Sequence, residues 1–355
     1  MRRQQNAWMS IVAAIVAFCA IPSAMGSYLE QDVGREPVSP PERIIPPPSP
    51  RNEISELISR IHVGGPYSTR NLTIFPLRLA GPHGFSEYIT LDESLSRGYI
   101  EILEEKSPEV REVLVRNNSR NHVFLTAGET LGGGKQNRLI AEDVLLGPHG
   151  PVVRVPVYCI ERGRWSPGEK FGSGGFMAPM PMRKMAQERV SQRALWEAVS
   201  GALEESGTRA ENEDFSAVYK NEAVAGEIAQ YRREIRIPLD NTVGCVVVMH
   251  GRIVGSDIFT SPELFRKLWP KLLDSYALRA ITHRERGEYR DGGWPSEGEI
   301  RRFLDRVFRA SFRDRIARDI GRIVEVAGPG IQGEGLVHHR EVVHVHITPR
   351  PEVSF

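Results

Sequence analysis

Short runs that alternate apolar and polar residues dominate the chain between residues 71 and 160. A period of two is typical of strands, because successive side chains point to opposite faces of a sheet. Most runs are separated by Gly, Pro or Asn, and no helical period intervenes, so the pattern predicts an antiparallel sandwich or a barrel-like sheet. The predicted strands are Leu72–Leu79, Tyr88–Leu91, Tyr99–Leu103, Glu112–Val115, Val123–Thr126, Arg138–Leu145 and Val152–Ile160.

The hydrophobic period becomes that of a helix from residue 183 onward. Apolar residues at helical spacing predict amphipathic helices over residues 183–206 and 297–319, and a further helix after Pro262. Arginines occupy the other side of the 297–319 segment, which we interpret as a solvated face. The strands predicted in this half are Gly244–His250, Ile323–Val326 and Val342–Ile347.

These patterns together predict one compact domain of the α+β class over residues 53–350. Its N-terminal half is an antiparallel β-sandwich or barrel-like sheet that packs with a helical, mixed C-terminal half. The β-rich part spans residues 71–165, the helix-rich part spans residues 183–320, and terminal strands occupy residues 322–348.

The segment before this domain has the features of an export signal. Arg2 and Arg3 precede an apolar stretch and small residues around Gly26, so residues 1–26 are predicted to be a cleavable signal peptide. Prolines then fill a linker over residues 27–52, which we predict to be extended and disordered. The expected location is periplasmic or extracellular, with no membrane span after cleavage; an uncleaved signal would instead be an N-terminal membrane anchor.

Charge and cysteine content narrow the functional classes. The chain has 46 basic and 45 acidic residues, and this balance argues against nucleic acid as a partner. Cys159 and Cys245 both lie in apolar runs, where a disulfide and two buried thiols are both compatible with the sequence.

The most unusual segment is TAGETLGGGKQNR, from Thr126 to Arg138. Three consecutive glycines can direct successive backbone N–H groups toward an anion, and the polar residues after them would add donors and charge. We therefore predict ligand contacts here, with Glu129 as a candidate general base or a partner for the lysine; a simple turn with solvated side chains is the alternative. The predicted ligand-binding residues of this loop are Gly132, Gly133, Gly134, Lys135, Gln136, Asn137 and Arg138.

A second candidate segment is VPVYCIERGRW, from Val155 to Trp165. The strand ends in Glu161, Arg164 and Trp165, a combination that can bind a base or ribose through stacking and hydrogen bonds. The alternative is a surface ion pair beside a tryptophan that fills the core.

Histidines near the C-terminus provide a third candidate. His344 and His346 alternate along a predicted strand, so both rings point to one side, and Asp257 is a plausible third ligand for Zn²⁺. No established metal motif accompanies them, so we predict a polar strand face and no metal, with the zinc site as the weaker alternative.

The two polar segments, together with SQRALW from Ser191 and GCVVVMHGRIVGSDIF from Gly244, resemble a bacterial domain family. That family is named for its association with ADP-ribosylglycohydrolases and rhodanese-like phosphatases. The resemblance covers residues 71 to about 348 and implies a link to ADP-ribose or NAD-related nucleotides. It transfers no catalytic residue and no cofactor.

Two functional hypotheses follow. The first is a domain that binds a nucleotide-like or phosphosugar ligand where the GGGKQNR and ERGRW segments meet, with hydrolysis as a further expectation. The second is a non-enzymatic interaction module of the cell envelope, suggested by the linker, the β-rich half and the lack of a catalytic motif. The sequence leaves open whether the chain is an enzyme and which proteins it binds.

Overall fold

The computed structural model describes residues 52–81, 87–105, 111–164, 170–283 and 294–350 of the 355-residue chain. Pro46–Phe355 forms one compact unit. The predicted signal peptide and nearly all of the linker lie outside the described residues, so export stays a prediction. Among the described helices, none is both long and apolar enough to cross a membrane.

Within these residues the chain forms strands and helices in mixed order. The strands are β1 (Ile61–Val63), β2 (Tyr67–Thr69), β3 (Leu72–Leu79), β4 (Tyr88–Thr90), β5 (Ile100–Glu104), β6 (Glu112–Asn117), β7 (His122–Leu125), β8 (Glu129–Gly133), β9 (Arg138–Ile140), β10 (Val144–Leu146), β11 (Val153–Cys159), β12 (Phe171–Met177), β13 (Thr242–Met249), β14 (Arg252–Phe259), β15 (Ser311–Ile316), β16 (Arg322–Gly328), β17 (Ile331–His338) and β18 (Glu341–Pro349). The helices are α1 (Glu53–Ser59), α2 (Leu91–Ser96), α3 (Met180–Gln187), α4 (Gln192–Glu205), α5 (Ser216–Lys220), α6 (Glu222–Glu234), α7 (Pro262–Thr282) and α8 (Glu297–Asp305), followed by a 3-10 turn (Arg306–Arg309).

The largest sheet contains nine antiparallel strands, in the order β1-β3-β13-β14-β18-β17-β16-β15, with β2 paired to β3. Its interior strand β13 is buried along its whole length. The sequence TVGCVVVM explains this position, because β-branched residues favour a strand and no charged group interrupts the run. The sheet therefore forms the main support of the molecule.

Two smaller sheets come from the first half of the chain. One has six antiparallel strands in the order β12-β8-β9-β11-β6-β5, and the other has three in the order β10-β7-β4, where β4 and β7 are parallel. Their inward residues share a core of Val and Ile side chains such as Val113, Val155 and Ile140. The predicted α+β class with antiparallel sheets is confirmed.

Helix α7 packs against β13, α6 and β12. Leu268, Leu272 and Tyr276 belong to the core cluster that also contains Val247 of β13. Most of the 21 helical residues are buried, which explains why the sequence of α7 has apolar residues on nearly every side.

One predicted helix is wrong over half of its length. Residues 297–319 were expected to be helical, but α8 ends at Asp305 and Ser311–Ile316 is a strand that pairs with β16. Ile316, expected on the apolar side of that helix, is 88% exposed. The apolar spacing does hold for Ile300 and Phe303, which are buried, but backbone pairing with β16 overrides it afterwards.

Other differences concern interruptions that leave no hydrophobic signal. The predicted 183–206 helix is two helices, separated near Arg189, where φ is positive, and restarted by the N-cap Ser191. Helix α2 interrupts the expected run of strands, and the predicted strand Arg138–Leu145 is two strands, β9 and β10, in different sheets. The strands β1, β2, β8, β12 and β17 were not predicted. Glycine explains the omission of β12 and β17, since β12 reads FGSGGFM and β17 carries Gly333 and Gly335, which weaken the apolar alternation.

Candidate functional site

The glycine loop, defined as residues 132–138, joins β8 to β9 in the six-stranded sheet. Gly133 and Gly134 have φ of 114° and 53°, a region that favours glycine. A Cβ at Gly134 would overlap the Phe171 ring, and one at Gly133 would lie 2.7 Å from the Lys170 carbonyl oxygen. A Cβ at Gly132 would meet nothing closer than 3.8 Å. Two of the three glycines are therefore required by the backbone.

The anionic group that the glycine loop binds is a side chain of the protein itself, the Glu104 carboxylate. Glu104 Oε2 accepts a hydrogen bond of 2.9 Å from the Lys135 backbone N–H, and Arg138 Nη2 donates to Glu104 Oε1 at 3.1 Å. Arg138 and Glu104 are both buried. The N–H groups of Gly133 and Gly134 donate to Asn137 Oδ1 and to the Lys170 carbonyl. These donors are engaged within the fold.

The second predicted segment packs directly on this loop. Arg164 donates through Nε to Glu161 Oε1 at 2.8 Å and through Nη1 to the Gly134 carbonyl at 3.0 Å. Glu161 Oε2 accepts from the Asn137 N–H at 3.1 Å, and the Gln136 amide donates to the Glu161 carbonyl at 2.7 Å. The hydrogen bond to Glu161 raises the pKa of Arg164. The structure thus brings both segments together, while Trp165 lies outside the described residues.

Glu129 does not contact the lysine of the loop in this arrangement. It is buried, and its carboxylate accepts hydrogen bonds from the Thr126 N–H at 2.9 Å and from Lys271 Nζ at 2.9 Å. Burial raises the pKa of Glu129, and the charge of Lys271 opposes this rise in part. The position ties β8 to α7 and to Asp92, which also accepts from Lys271.

The three metal candidates form a buried ionic network. Arg183 of α3 donates to both oxygens of Asp257, at 3.1 and 2.7 Å, and Asp257 Oδ1 lies 3.1 Å from His344 Nε2 and 3.0 Å from His346 Nδ1. Burial would raise the pKa of Asp257, yet Arg183 and His346 hold it well below its usual range. His344 Nδ1 is also 2.7 Å from Asp143 Oδ2.

This network determines the charge states of its members. Burial lowers the pKa of His344, but Asp143 and Asp257 raise it to about 9. The Arg183 guanidinium occupies the Asp257 edge that a metal ion would need, and like charges repel at that distance. Among the described residues, no group of three or more His, Cys, Asp and Glu side chains is arranged to hold a metal ion. Cys159 and Cys245 are separate buried thiols.

A cleft of about 490 Å³ opens beside the outer face of β11, and we call it the β11 cleft. Its walls come from β11, from the end of α3 and from the start of α4. It is lined by Arg111, Ala141, Glu142, Pro156, Val157, Tyr158, Ala186, Gln187, Arg189, Val190, Ser191, Gln192 and Arg318. Residues of the glycine loop do not line it.

Positive charge exceeds negative charge in the β11 cleft. Glu142 is its one lining carboxylate, and that side chain is only 5% exposed. Arg318 Nε donates to Glu142 at 2.5 Å, and its Nη1 donates to Glu112, which does not line the cleft, at 3.3 Å. Arg315 Nη1, also from outside the lining, donates to Glu142 at 2.9 Å, and Arg189 lies 3.8 Å from that carboxylate. Arg189 remains 60% exposed, and Arg111 forms no ion pair with a described residue. The cleft therefore presents guanidinium groups to solvent.

Two of the segments that carry the family resemblance, VPVYCIERGRW and SQRALW, contribute walls of this cleft. Gln192 donates to the Cys159 carbonyl at 2.8 Å and accepts from the Cys159 N–H at 2.9 Å, so α4 begins against β11. Tyr158 donates to the Val190 carbonyl at 2.8 Å, and Ser191 caps α4 by accepting from the Ala194 N–H. Sequence reasoning missed the cleft because its charged residues come from separate parts of the chain. The SQRALW and VPVYCIERGRW segments gave a signal near it, but neither contains Arg111, Arg189 or Arg318.

Comparison with known proteins supports the resemblance noted in the sequence. The model of the ARG and Rhodanese-Phosphatase-superfamily-associated Protein domain matches residues 60–348. No curated protein and no solved structure matches the chain. Because the match spans most of the described body, the chain belongs to the ARG and Rhodanese-Phosphatase-superfamily-associated Protein domain family.

Proposed function

We propose that the protein binds a nucleotide-like or phosphosugar ligand and that the β11 cleft receives its phosphate. The observation that carries this proposal is the excess of guanidinium over carboxylate in a cavity of metabolite size. A volume of about 490 Å³ falls within the range that small-molecule sites usually have. Arginine suits phosphate because its planar fork can donate two parallel hydrogen bonds.

The backbone adds to the positive field of the cleft. Helix α4 has 14 residues, and its first turn, with Ser191 and Gln192, borders the cleft. Unpaired N–H groups at the start of a helix carry a partial positive charge that favours a phosphate. The Tyr158 ring offers an apolar surface for a sugar or a base.

The proposal concerns binding and not catalysis, because Glu142, the carboxylate that lines the cleft, is already paired with arginines. Glu142 accepts hydrogen bonds from Arg315 and Arg318, so its role here is to hold the arginines in place. A general base needs a lone pair directed at the water that it activates. Hydrolysis is therefore tested as a separate property of the same ligand.

Titration calorimetry with ADP-ribose, AMP, ribose 5-phosphate and adenosine tests the proposal. We expect the three phosphorylated compounds to bind and adenosine to bind more weakly. Replacing Arg189 by Gln should weaken phosphate-dependent binding at least about tenfold, since one charged hydrogen bond contributes about 1.5–3 kcal/mol. Release of AMP or inorganic phosphate during incubation measures hydrolysis.

Arg193→Gln is the matched control, because Arg193 is on α4 next to the cleft but is 87% exposed and paired with Glu197. Equal affinity of Arg189→Gln and wild type for every phosphorylated compound would exclude the cleft. If Lys135→Ala instead weakened binding, the ligand would contact the glycine loop, as the sequence predicts. Absence of binding at millimolar ligand would favour the envelope interaction module.

A further inference from the structure

A second cavity, of about 850 Å³, lies against α8, and we call it the α8 groove. Its walls are α8 with the following 3-10 turn, the turn between β13 and β14, the turn between β16 and β17, and the end of β18. It is lined by Gly251, Arg252, Ile253, Pro295, Glu299, Arg302, Phe303, Asp305, Arg306, Arg309, Pro329, Gly330 and Pro349. It shares no lining residue with the β11 cleft.

Three of its arginines form a row. Arg302, Arg306 and Arg309 are spaced by four and three residues, so they lie along one side of α8 and the 3-10 turn. With a rise of about 1.5 Å per residue, the first and last are about 10 Å apart along the axis. Arg252, the first residue of β14, also lines the groove.

The two carboxylates of the groove compensate the charge of this row only in part. Glu299 accepts hydrogen bonds from the Ser296 N–H and hydroxyl in the capping box of α8, and Asp305 accepts from Arg301 Nε at 2.8 Å. Within the described part of the chain, Arg252, Arg302 and Arg309 have no carboxylate partner. Four guanidinium groups therefore face two carboxylates, one of which is shared with Arg301.

The shape of the site separates it from an ordinary solvated face. A solvated face is convex, whereas these arginines line a cavity that also includes Pro295, Pro329 and Pro349. Gly330 allows a close approach, since a Cβ there would lie 2.8 Å from Arg306 Nη1, and Arg306 donates to the Gly330 carbonyl at 3.4 Å. The hydrogen bond to Gly330 therefore positions Arg306 against the cavity wall, where the prolines restrict the backbone.

We propose that the α8 groove binds a linear ligand that carries two or more phosphate groups in a row. A single phosphate would meet only part of a charge row that extends about 10 Å. Guanidinium forks match phosphate oxygens in a bidentate manner, and several such contacts along one ligand add to each other. This site goes beyond the proposed function, because it lies outside the β11 cleft and does not depend on it.

Calorimetry with orthophosphate, pyrophosphate and tripolyphosphate tests this inference. We expect affinity to rise at least tenfold from orthophosphate to tripolyphosphate and to fall with added salt. The double variant Arg302→Gln, Arg309→Gln should lower tripolyphosphate affinity at least tenfold, and Arg252→Gln should lower it from the opposite wall. Arg233→Gln, on an exposed position of α6, is the control.

The arms of the experiment separate the two anion sites. Tripolyphosphate binding should persist in Arg189→Gln, so failure of the β11 cleft proposal leaves this one unaffected. The inference is overturned if the double variant and Arg252→Gln both bind tripolyphosphate like wild type. It is also overturned if citrate, with three carboxylates, binds as tightly as tripolyphosphate. Arginines that only compensate the helix C-terminus would change the melting temperature and leave affinity unaltered.

Discussion

The glycine loop and the β11 cleft use the same residue types in opposite ways. In the loop, Arg138 and Arg164 are matched by Glu104 and Glu161, and their hydrogen bonds remain inside the fold. In the cleft, arginines outnumber the one carboxylate that lines it. A polar motif can therefore serve the fold alone, whereas charge that exceeds internal pairing is the basis on which we propose a ligand site. The two regions should respond differently to mutation.

The largest effect is expected inside the loop cluster. Glu104→Gln would leave Arg138 buried without its carboxylate, and removal of one member of a buried pair costs about 3–5 kcal/mol. Glu105→Gln is the control, since Glu105 pairs with Arg154, which is 58% exposed, and should cost less than about 1 kcal/mol. Urea unfolding followed by circular dichroism measures both. Similar losses of unfolding free energy in the two variants would show that the Glu104–Arg138 pair is not shielded from water.

The Asp257 network, which is also buried, should make stability depend on pH. The folded pKa of His344, raised to about 9, exceeds the usual unfolded value of about 6.5. Its stabilisation is therefore complete below about pH 6.5 and is lost as pH rises through 9. The loss is of the order of 3 kcal/mol, since one pKa unit corresponds to about 1.4 kcal/mol.

Urea unfolding at pH 6.5, 8 and 9.5 gives the size of that loss. Burial raises the pKa of Glu334 to about 7. The effect of Glu334 on the free energy of unfolding therefore changes mainly between pH 4.5 and 7, below most of this window. NMR titration of the His344 ring separates the two groups. A free energy of unfolding that stays constant or rises from pH 6.5 to 9.5 would contradict a charged His344.

A smaller loss is expected from the backbone of the loop. Gly134→Ala introduces a Cβ at positive φ and against the Phe171 ring, which should reduce the free energy of unfolding by about 2 kcal/mol. Gly132→Ala has open space and should change it by less than about 1 kcal/mol. Thermal melts of the two variants measure this difference. Equal melting temperatures would mean that the loop can rearrange to accommodate a Cβ at position 134.

The smallest effect on stability belongs to the cleft. Arg189→Gln removes an exposed side chain whose nearest carboxylate atom is 3.8 Å away, so unfolding should change by no more than about 0.5 kcal/mol. The same variant should lose phosphate-dependent binding, which sharpens the contrast with Glu104. A loss of more than about 1 kcal/mol, measured by urea unfolding, would place Arg189 with the structural residues.

The sequence predicts the first-half strands well because apolar alternation is a local signal. β3, β5 and β11 agree with predicted runs to within a residue or two. The glycine-rich β12 has no such signal, and β15 has apolar residues that also fit a helix. Pairing partners far along the chain decide both cases.

The same reasoning applies to the sites. The two polar motifs were expected to meet, and Arg164 does contact the Gly134 carbonyl. Whether they bind a ligand stays a prediction. The β11 cleft could not be found in this way, because Arg111, Arg189 and Arg318 are widely separated in sequence and each belongs to an unremarkable charged segment. Only the folded chain shows which charges remain unbalanced.

The ionic network around Asp257 has a consequence for how the chain folds. Arg183 and Asp257 are 74 residues apart, and Asp143 and His344 are 201 residues apart. Closing such long loops is slow, and a half-formed sheet would hold Asp257 away from water before its partners arrive. We therefore expect the strands that carry Asp257 and His344 to become buried only when α3 and the segment around Asp143 dock. Refolding should then end in a late, concerted step, in which the smaller sheets and the large sheet acquire their native packing together.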